Sequence, residues 1–332
     1  MSVGYDRAMK VQVIGSGSWG LALARILARN DHEVLLWCRA EDNPDALRET
    51  RESPVFLPGV LMPENVAVVS HVDPDVDMAV FAVPSHVMRI VAEQYPLSEK
   101  TIRVNVAKGI ERATLLRMSE VLVEAGEGGP VVTLSGPSHA EEVGNDLPAS
   151  LVAASLDEDA AAMVQEAFFG STFRVYTSGD LVGVEIGGSL KNVVAIAAGT
   201  CDGLGLGDNA KAALITRGLA EIARLGVACG ADPITFSGLS GMGDLIVTCD
   251  SRHSRNRRVG EGIAQGKTIE EILNGPMVAE GVNTTESAHA LAGKMGVEMP
   301  ITAAVHGVLF GGIDAGTALA QLLGREKRSE QD

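Results

Sequence analysis

One lysine, Lys191, stands among small apolar residues: residues 184–188 and 193–198 around it are almost entirely aliphatic or Gly. An ammonium in such a stretch must snorkel to water, meet a partner or face a cavity. Partial burial lowers its pKa, which suits a group that gives up a proton during turnover. Other segments carry polar groups that could work with it. Asn105-Val106-Ala107-Lys108-Gly109 sets a second lysine at the carboxyl end of an expected strand. Ser135-Gly136-Pro137-Ser138-His139-Ala140-Glu141-Glu142 reads as a turn after the next strand. Ser254-Arg255-Asn256-Arg257-Arg258 follows the Gly-rich Gly241-Met242-Gly243-Asp244, and with Arg252 it concentrates positive charge. The whole chain has a net charge of -16. A local cationic cluster in an acidic protein suits a small anion, because the net charge would repel a large polyanion.

A second constellation is Gly15-Ser16-Gly17-Ser18-Trp19-Gly20, at the end of an apolar run and the start of a helical one. In a GxGxxG turn, Gly15 permits the sharp bend and Gly17 lets a pyrophosphate reach the backbone. Gly20 lets helix and strand pack closely, and the phosphates meet the positive end of the helix dipole. Strand, motif, helix and second strand come in the required order, so the segment reads as a dinucleotide site. Beyond the second strand an NAD site usually offers an acid for the ribose 2′-hydroxyl. Here Arg39 comes first, with Glu41 just after it. A guanidinium favours a 2′-phosphate, so the expected cofactor is NADP, with NADPH favoured and NAD still possible.

The elements that must position these groups follow from the patterning. Residues 10–14, 33–37, 78–83, 102–106, 131–134, 151–154 and 173–176 are short runs rich in Val, Ile and Ala, as in buried parallel strands. Helical stretches lie between several of them, at 19–30, 86–95, 114–125 and 157–168. Alternating strands and helices imply a doubly wound parallel sheet. After residue 176 no further strand is evident. Helices are expected at 181–198, 210–226, 233–236, 254–265, 268–273, 284–295 and 301–310, with Gly-rich loops at 200–209, 237–248 and 274–282. The expected architecture is an α/β fold: an N-terminal Rossmann domain over residues 1–180 and a C-terminal all-helical domain over residues 181–332 that closes the crevice. With 332 residues, 46% of them hydrophobic, the chain can bury two cores.

Charge also narrows the partners. Residues 1–180 carry 14 Lys and Arg against 26 Asp and Glu, and residues 181–332 carry 13 against 17. No nucleic-acid partner is expected from a chain without a broad basic face. No apolar run free of charge and turn residues reaches the ~20 residues of a membrane helix, so no stable membrane insertion is expected. Cys38, Cys201, Cys229 and Cys249 form no CxxC pair and read as free thiols of a cytoplasmic protein. The seven His are scattered, and no metal site is expected. The apolar helical half makes a homodimer plausible.

Taken together, GSGSWG, PSH, AKGI, SGPSHAEE, GGSLKN, GDNAKAALITRGLAE, GMGDLIVTC, SRNRR and VAEGVNT resemble the bacterial-type NAD(P)-dependent glycerol-3-phosphate dehydrogenases, in order and spacing, from about residue 10 to 325. The resemblance implies a second domain like that of 6-phosphogluconate dehydrogenase. It also implies reduction of dihydroxyacetone phosphate to sn-glycerol 3-phosphate for phospholipid synthesis. By position it implies Lys191 as the catalytic proton donor, with Lys108 and Asp244 beside it. Gly136, Ser138, Ser254, Arg255 and Asn256 join these three as substrate contacts. Ser18, Trp19, Arg39, Lys108, Ala140, Arg255, Val278 and Glu280 fall on cofactor positions, with Gly15, Gly17 and Gly20 of the glycine turn. His139 stands where Phe is frequent in the family.

Two alternatives come from other readings of the same residues. A β-hydroxyacid dehydrogenase would share the architecture, but its catalytic helix carries Asn four positions after Lys. Here that position is Ala195, and Asn192 directly follows Lys191. A non-catalytic NAD(P)H sensor would need neither Lys191 nor Arg255.

Overall fold

A computed structural model describes residues 8–274, 278–326 and 329. β1 (Lys10–Ile14) passes through the glycine turn into α1 (Ser18–Arg29) and returns as β2 (Glu33–Trp37). α2 (Pro44–Thr50), the antiparallel pair β3 (Glu52–Ser53) and β4 (Leu57–Leu61), and β5 (Val66–Val69) follow. Next come β6 (Met78–Phe81), α3 (Met88–Gln94), β7 (Ile102–Asn105), α4 (Met118–Ala125) and β8 (Val131–Ser135). α5 (Ala140–Gly144), β9 (Ala149–Ala154), α6 (Glu158–Phe168) and β10 (Phe173–Ser178) complete an eight-stranded sheet in the order β10-β9-β8-β7-β6-β1-β2-β5.

The sheet is covered on both faces, which is why its central strands read as unbroken apolar runs. Side chains alternate between two cores. Met78 and Val80 join Val11, Val13 and the α1 residues Leu21, Leu23 and Leu27 on one face. Ala79 and Phe81 meet Met88 and Val91 of α3 and Val121 and Leu122 of α4 on the other. Arg103 of β7 is buried with no acidic partner among the described residues. It donates to the carbonyls of Leu122 (2.6 Å) and Gly126 (2.8 Å) at the end of α4 and to that of Gly129 (2.8 Å), so main-chain dipoles hold its charge.

The strand pattern is correct in position but not throughout in direction. β8 and β9 pair antiparallel, whereas β9 and β10 are parallel. Only the five-residue α5 lies between β8 and β9, too little helix for a full crossover to a parallel neighbour. Hydropathy marks burial and carries no strand polarity. Residues 40–77, which the patterning leaves without elements, hold α2, the β3–β4 pair and edge strand β5. The helix expected at 114–125 begins only at Met118, because Leu115 takes a positive φ of 62°.

From residue 181 the chain is helical. α7 (Leu181–Gly203) and α8 (Gly207–Ala228) are joined by three residues, so most of the loop expected at 200–209 is helix. A 3-10 turn (Pro233–Ser237) and a π-helical turn (Leu239–Gly243) lead into α9 (Asp244–Asp250), where a loop was expected. α10 (Arg255–Ala264), α11 (Ile269–Leu273), α12 (Glu280–Met295), α13 (Pro300–Phe310) and α14 (Ala315–Leu323) follow. Of the loop expected at 274–282, residues 275–277 lie outside the described residues. Asp180 caps α7, accepting from the Gly183 N–H at 2.9 Å.

α7 is the axis of this half. It is buried on all sides, so it shows no amphipathic stripe. It is long and apolar enough to cross a membrane, yet 89% of its most apolar window is buried inside the protein. Two charged residues, Glu185 and Lys191, are buried along it.

Candidate active site

The first part of the site lies at the carboxyl ends of β1 and β6, where the strand order changes direction. Gly15 has φ +117°, and a Cβ there would lie 2.5 Å from the Ala82 carbonyl oxygen. A Cβ at Gly20 would lie 2.0 Å from the Gly15 oxygen, so α1 can approach the turn only with glycine there. Gly17 differs: no described atom lies within 4 Å of where its Cβ would be. α1 begins there with neither a side-chain cap nor an acid in its first turn. An open backbone at a positive helix terminus fits a pyrophosphate. Trp19 is half-buried against the sheet core, and the Ser18 hydroxyl donates to the Phe56 carbonyl at 2.5 Å. Arg39, just beyond β2, is 57% exposed and forks onto Asp42 with two contacts of 2.8 Å.

The second part is a cation–carboxylate cluster at the seam of the two halves. Lys108 follows β7. Its Nζ lies 2.6 Å from Asp244 Oδ2 and 3.0 Å from the Gly136 carbonyl. Lys191, 6% exposed, lies 2.5 Å from Asp244 Oδ1 and 2.7 Å from Thr248 Oγ1. Asp244 opens α9 directly after the π-helical turn and is 1% exposed. Two adjacent glycines allow the convergence. A Cβ at Gly187 would lie 2.8 Å from the Ser240 carbonyl, and one at Gly188 would lie 2.6 Å from Ser135 Oγ. α7 is therefore wedged between the end of β8 and the turn that presents Asp244.

Electrostatics follow from this packing. Burial, aided by the Lys108 charge and opposed by Asp244, pushes Lys191 down to about 8. Burial raises the Asp244 carboxyl, but the two ammoniums outweigh it and hold that carboxyl below the usual range. Two ammoniums around one carboxylate leave the cluster net positive. Each ammonium has three N–H donors and spends two on the contacts above, so each keeps one for a ligand.

The third part is the start of α10. Ser254 caps it, its hydroxyl accepting from the Arg257 N–H at 3.2 Å. Arg255 donates to the Val278 carbonyl at 3.0 Å, and burial lowers its pKa. Asn256 donates to Asn192 Oδ1 and accepts from the Gly281 N–H, both at 2.9 Å. It thus ties α7, α10 and α12 together beside Lys191. Glu280, at the start of α12, is half-buried and accepts from the Ser85 N–H at 3.0 Å and the Ser85 hydroxyl at 2.5 Å. That contact joins the helical half to the lip of β6.

Two family models match the chain: the N-terminal part of NAD-dependent glycerol-3-phosphate dehydrogenase over residues 10–161 and the C-terminal part over residues 180–320. The chain belongs to the NAD-dependent glycerol-3-phosphate dehydrogenase family. The relatives include a glycerol-3-phosphate dehydrogenase [NAD(P)+] of Pelotomaculum thermopropionicum, 50% identical over 97% of this chain and 95% of its own length. Another from Moorella thermoacetica is 49% identical over 96% of this chain and 97% of its own. Among solved structures, glycerol-3-phosphate dehydrogenase from Coxiella burnetii superposes with a TM-score of 0.91 at 36% identity, covering 96% of this chain and 99% of that one. A ketopantoate reductase from Ralstonia eutropha, at 17% identity and a TM-score of 0.58 over 91% of this chain and 97% of its own, shares the fold alone.

Within this dehydrogenase fold, the residues expected from sequence fall into three neighbourhoods. Lys108, Gly136, Asp244 and Lys191 are linked directly. Ser138 joins them through its hydroxyl, which donates to the Gly136 carbonyl at 2.9 Å. Ser254, Arg255 and Asn256 begin α10 with Val278 and Glu280 alongside. Gly15, Gly17, Ser18, Trp19, Gly20 and Arg39 line the glycine turn and the end of β2. Ala140 is buried as the first residue of α5. Of the arginine cluster, Arg257 is engaged by Asp202 (2.7 Å) and Glu261 (3.0 Å), whereas Arg252 and Arg258 are exposed.

Thr248 and Asn192 escaped the sequence reasoning. Thr248 had a signal, since it lies four residues after Asp244 on one helix face. Asn192 had adjacency to Lys191, but its pairing with a residue 64 positions away had none.

Proposed function

We propose that this chain reduces dihydroxyacetone phosphate to sn-glycerol 3-phosphate at the expense of NAD(P)H, and catalyses the reverse. The observation that carries the reading is the sharing of Asp244 by Lys108 and Lys191 at the seam between a dinucleotide crevice and the cationic start of α10. The division of labour follows residues 1–180 and 181–332, the first binding the dinucleotide and the second the phosphorylated ketone.

A nicotinamide cofactor held by the glycine turn at Gly15, Gly17 and Gly20 would supply or accept the hydride at C2 of the substrate. Negative charge then develops on the C2 oxygen. Lys191 turns its unspent N–H toward that oxygen, stabilises it and passes it a proton. A pKa of about 8 keeps the ammonium protonated at neutral pH and still ready to release. Lys108 adds positive potential and orients the substrate. Asp244 holds both ammoniums in place by charge-assisted hydrogen bonds. Arg255 offers a planar fork to the phosphate, with Ser254 and Asn256 beside it. Gly136 and Ser138 form the substrate wall, and Ala140, Val278, Glu280, Ser18 and Trp19 the cofactor wall.

NADPH is the preferred reductant in this reading, because Arg39 stands at the end of β2 with a largely exposed guanidinium. Asp42 competes for that fork, which tempers the preference and leaves NADH usable. Arg39→Ala should raise KM for NADPH and leave KM for NADH nearly unchanged. We also place the protein in the cytoplasm, a reducing compartment that suits its four free thiols. The homodimer is tested by sedimentation of the purified chain.

The deciding experiment follows absorbance at 340 nm with NADPH or NADH, with and without dihydroxyacetone phosphate. Oxidation that depends on the phosphorylated ketone is expected. Oxidation only with 3-oxoacids, or cofactor binding without turnover with any ketone, overturns the assignment.

A further inference from the structure

Glu185 is the other charged residue buried in α7, and the chemistry above does not use it. Its Oε1 accepts from the Ser119 N–H (2.8 Å), Thr133 Oγ1 (3.2 Å) and Asn105 Nδ2 (3.3 Å). Its Oε2 accepts from Arg117 Nη1 (2.7 Å) and Ser119 Oγ (2.5 Å). All five donors belong to the sheet half, and Glu185 belongs to the helical half. A buried carboxylate is a poor way to hold two halves together, since apolar packing of equal volume does so at lower desolvation cost. What five hydrogen bonds add is direction.

That direction leads to Lys108. Asn105, held by Glu185, uses its Oδ1 to accept the Ala107 N–H at 2.9 Å, one residue before Lys108. Ser189, one helical turn after Glu185 on the same face of α7, donates to the Gly109 carbonyl at 3.2 Å, one residue after Lys108. Between them sits Gly188, where a Cβ would lie 3.8 Å from the Lys108 side chain. The turn carrying Lys108 is therefore gripped on both sides by the helix that carries Lys191.

We propose that Glu185 is a positioning residue: acting through Asn105, and together with Ser189, it fixes the Lys108 ammonium relative to Asp244 and Lys191. The inference deepens the catalytic reading above and rests on it for its kinetic consequence. Displacing a reacting or orienting group by about 1 Å costs up to about 100-fold in rate.

The test compares Glu185→Gln and Asn105→Ala with Ser119→Ala. Ser119→Ala removes a donor to Oε2, the carboxylate oxygen that Asn105 does not touch, so it serves as the control for lost stability alone. In Glu185→Gln and Asn105→Ala, kcat with dihydroxyacetone phosphate should fall roughly 10- to 100-fold, with KM for NADPH within about twofold. Ser119→Ala should keep kcat within about twofold of the wild type. In the cofactor-free protein, lysine-selective 15N NMR should show the Lys108 ammonium signal protected from exchange. That signal should broaden in the first two variants and persist in the third. Asn105→Ala carries the contrast by itself if Glu185→Gln does not fold. Full kcat in a folded Glu185→Gln or Asn105→Ala, or an equal loss in Ser119→Ala, overturns the proposal. A wild type inactive on dihydroxyacetone phosphate overturns the substrate assignment instead, and the NMR contrast still decides the positioning role.

Discussion

The Nζ of Lys191 lies 2.5 Å from Oδ1 of Asp244, a residue 53 positions later in the chain and on a different helix. The pairing explains how a lysine stays charged in a nearly dry environment. Burial lowers its pKa, and the carboxylate restores part of the loss. Without that partner burial would lower the pKa further, and less of the lysine would carry the proton it must donate.

Lys191→Ala should therefore lose about 10²–10³ in kcat for ketone reduction, the usual cost of removing a charged transition-state contact. Dinucleotide affinity, measured by fluorescence titration, should persist, because the glycine turn is untouched. Turnover close to that of the wild type would dismiss Lys191 as the proton donor.

The pH profile has a definite sign. Reduction needs the ammonium, so kcat/KM for dihydroxyacetone phosphate should fall as pH rises through about 8. Oxidation of glycerol 3-phosphate needs the free amine and should rise through the same range. Asp244→Asn removes the charge that supports the ammonium, so its alkaline fall should begin at lower pH. An unchanged profile in that variant would detach Asp244 from Lys191.

Arg255→Ala should raise KM for the phosphorylated ketone roughly 10- to 100-fold, matching the loss of a hydrogen bond to a charged group. The effect should vanish with a ketone that lacks phosphate. Equal KM values in the two enzymes would remove Arg255 from the phosphate site.

Gly17→Ala and Gly20→Ala should separate binding from folding. The methyl at position 17 enters open space, so the melting temperature should hold while dinucleotide affinity drops. The methyl at position 20 meets the Gly15 carbonyl, so that variant should lose about 1–3 kcal/mol of stability in urea.

Glu221 makes a purely structural counterpart. It accepts the Ile301 and Thr302 N–H groups that begin α13, at 2.7 and 3.2 Å. Glu221→Ala should cost about 1–3 kcal/mol by stranding those donors, with kcat unaffected below the melting transition.

The parts of this molecule legible in its residues are those whose chemistry is local. β1, the glycine turn, α1 and β2 are written in one continuous stretch. Lys191 is conspicuous because a charge interrupts an apolar run. Glu185, the second residue of that run's first half, interrupts it in the same way and passes unremarked beside its more reactive neighbour. Nothing local reveals that β9 runs against β8, since direction depends on the length of helix before it. Nothing local reveals that Asn256 faces Asn192, or that Lys108 shares Asp244 with Lys191. The first of these follows from the close packing of α7 on α10 through Gly199 and Gly260, the second from the packing of α7 through Gly187 and Gly188.

Synthesis imposes one last consequence on α7. The helix leaves the ribosome about 50 residues before α10 begins and nearly 80 before α12, the two elements that shield much of its surface. At cellular translation rates of about 5–20 residues per second, the interval to the end of α10 lasts roughly 3–12 s. For that time this long apolar helix has only the finished sheet and, as they emerge, α8 and α9 to lean on. Any slowing of translation across residues 204–264 would lengthen the period in which chaperones, rather than neighbouring helices, must keep it from aggregating.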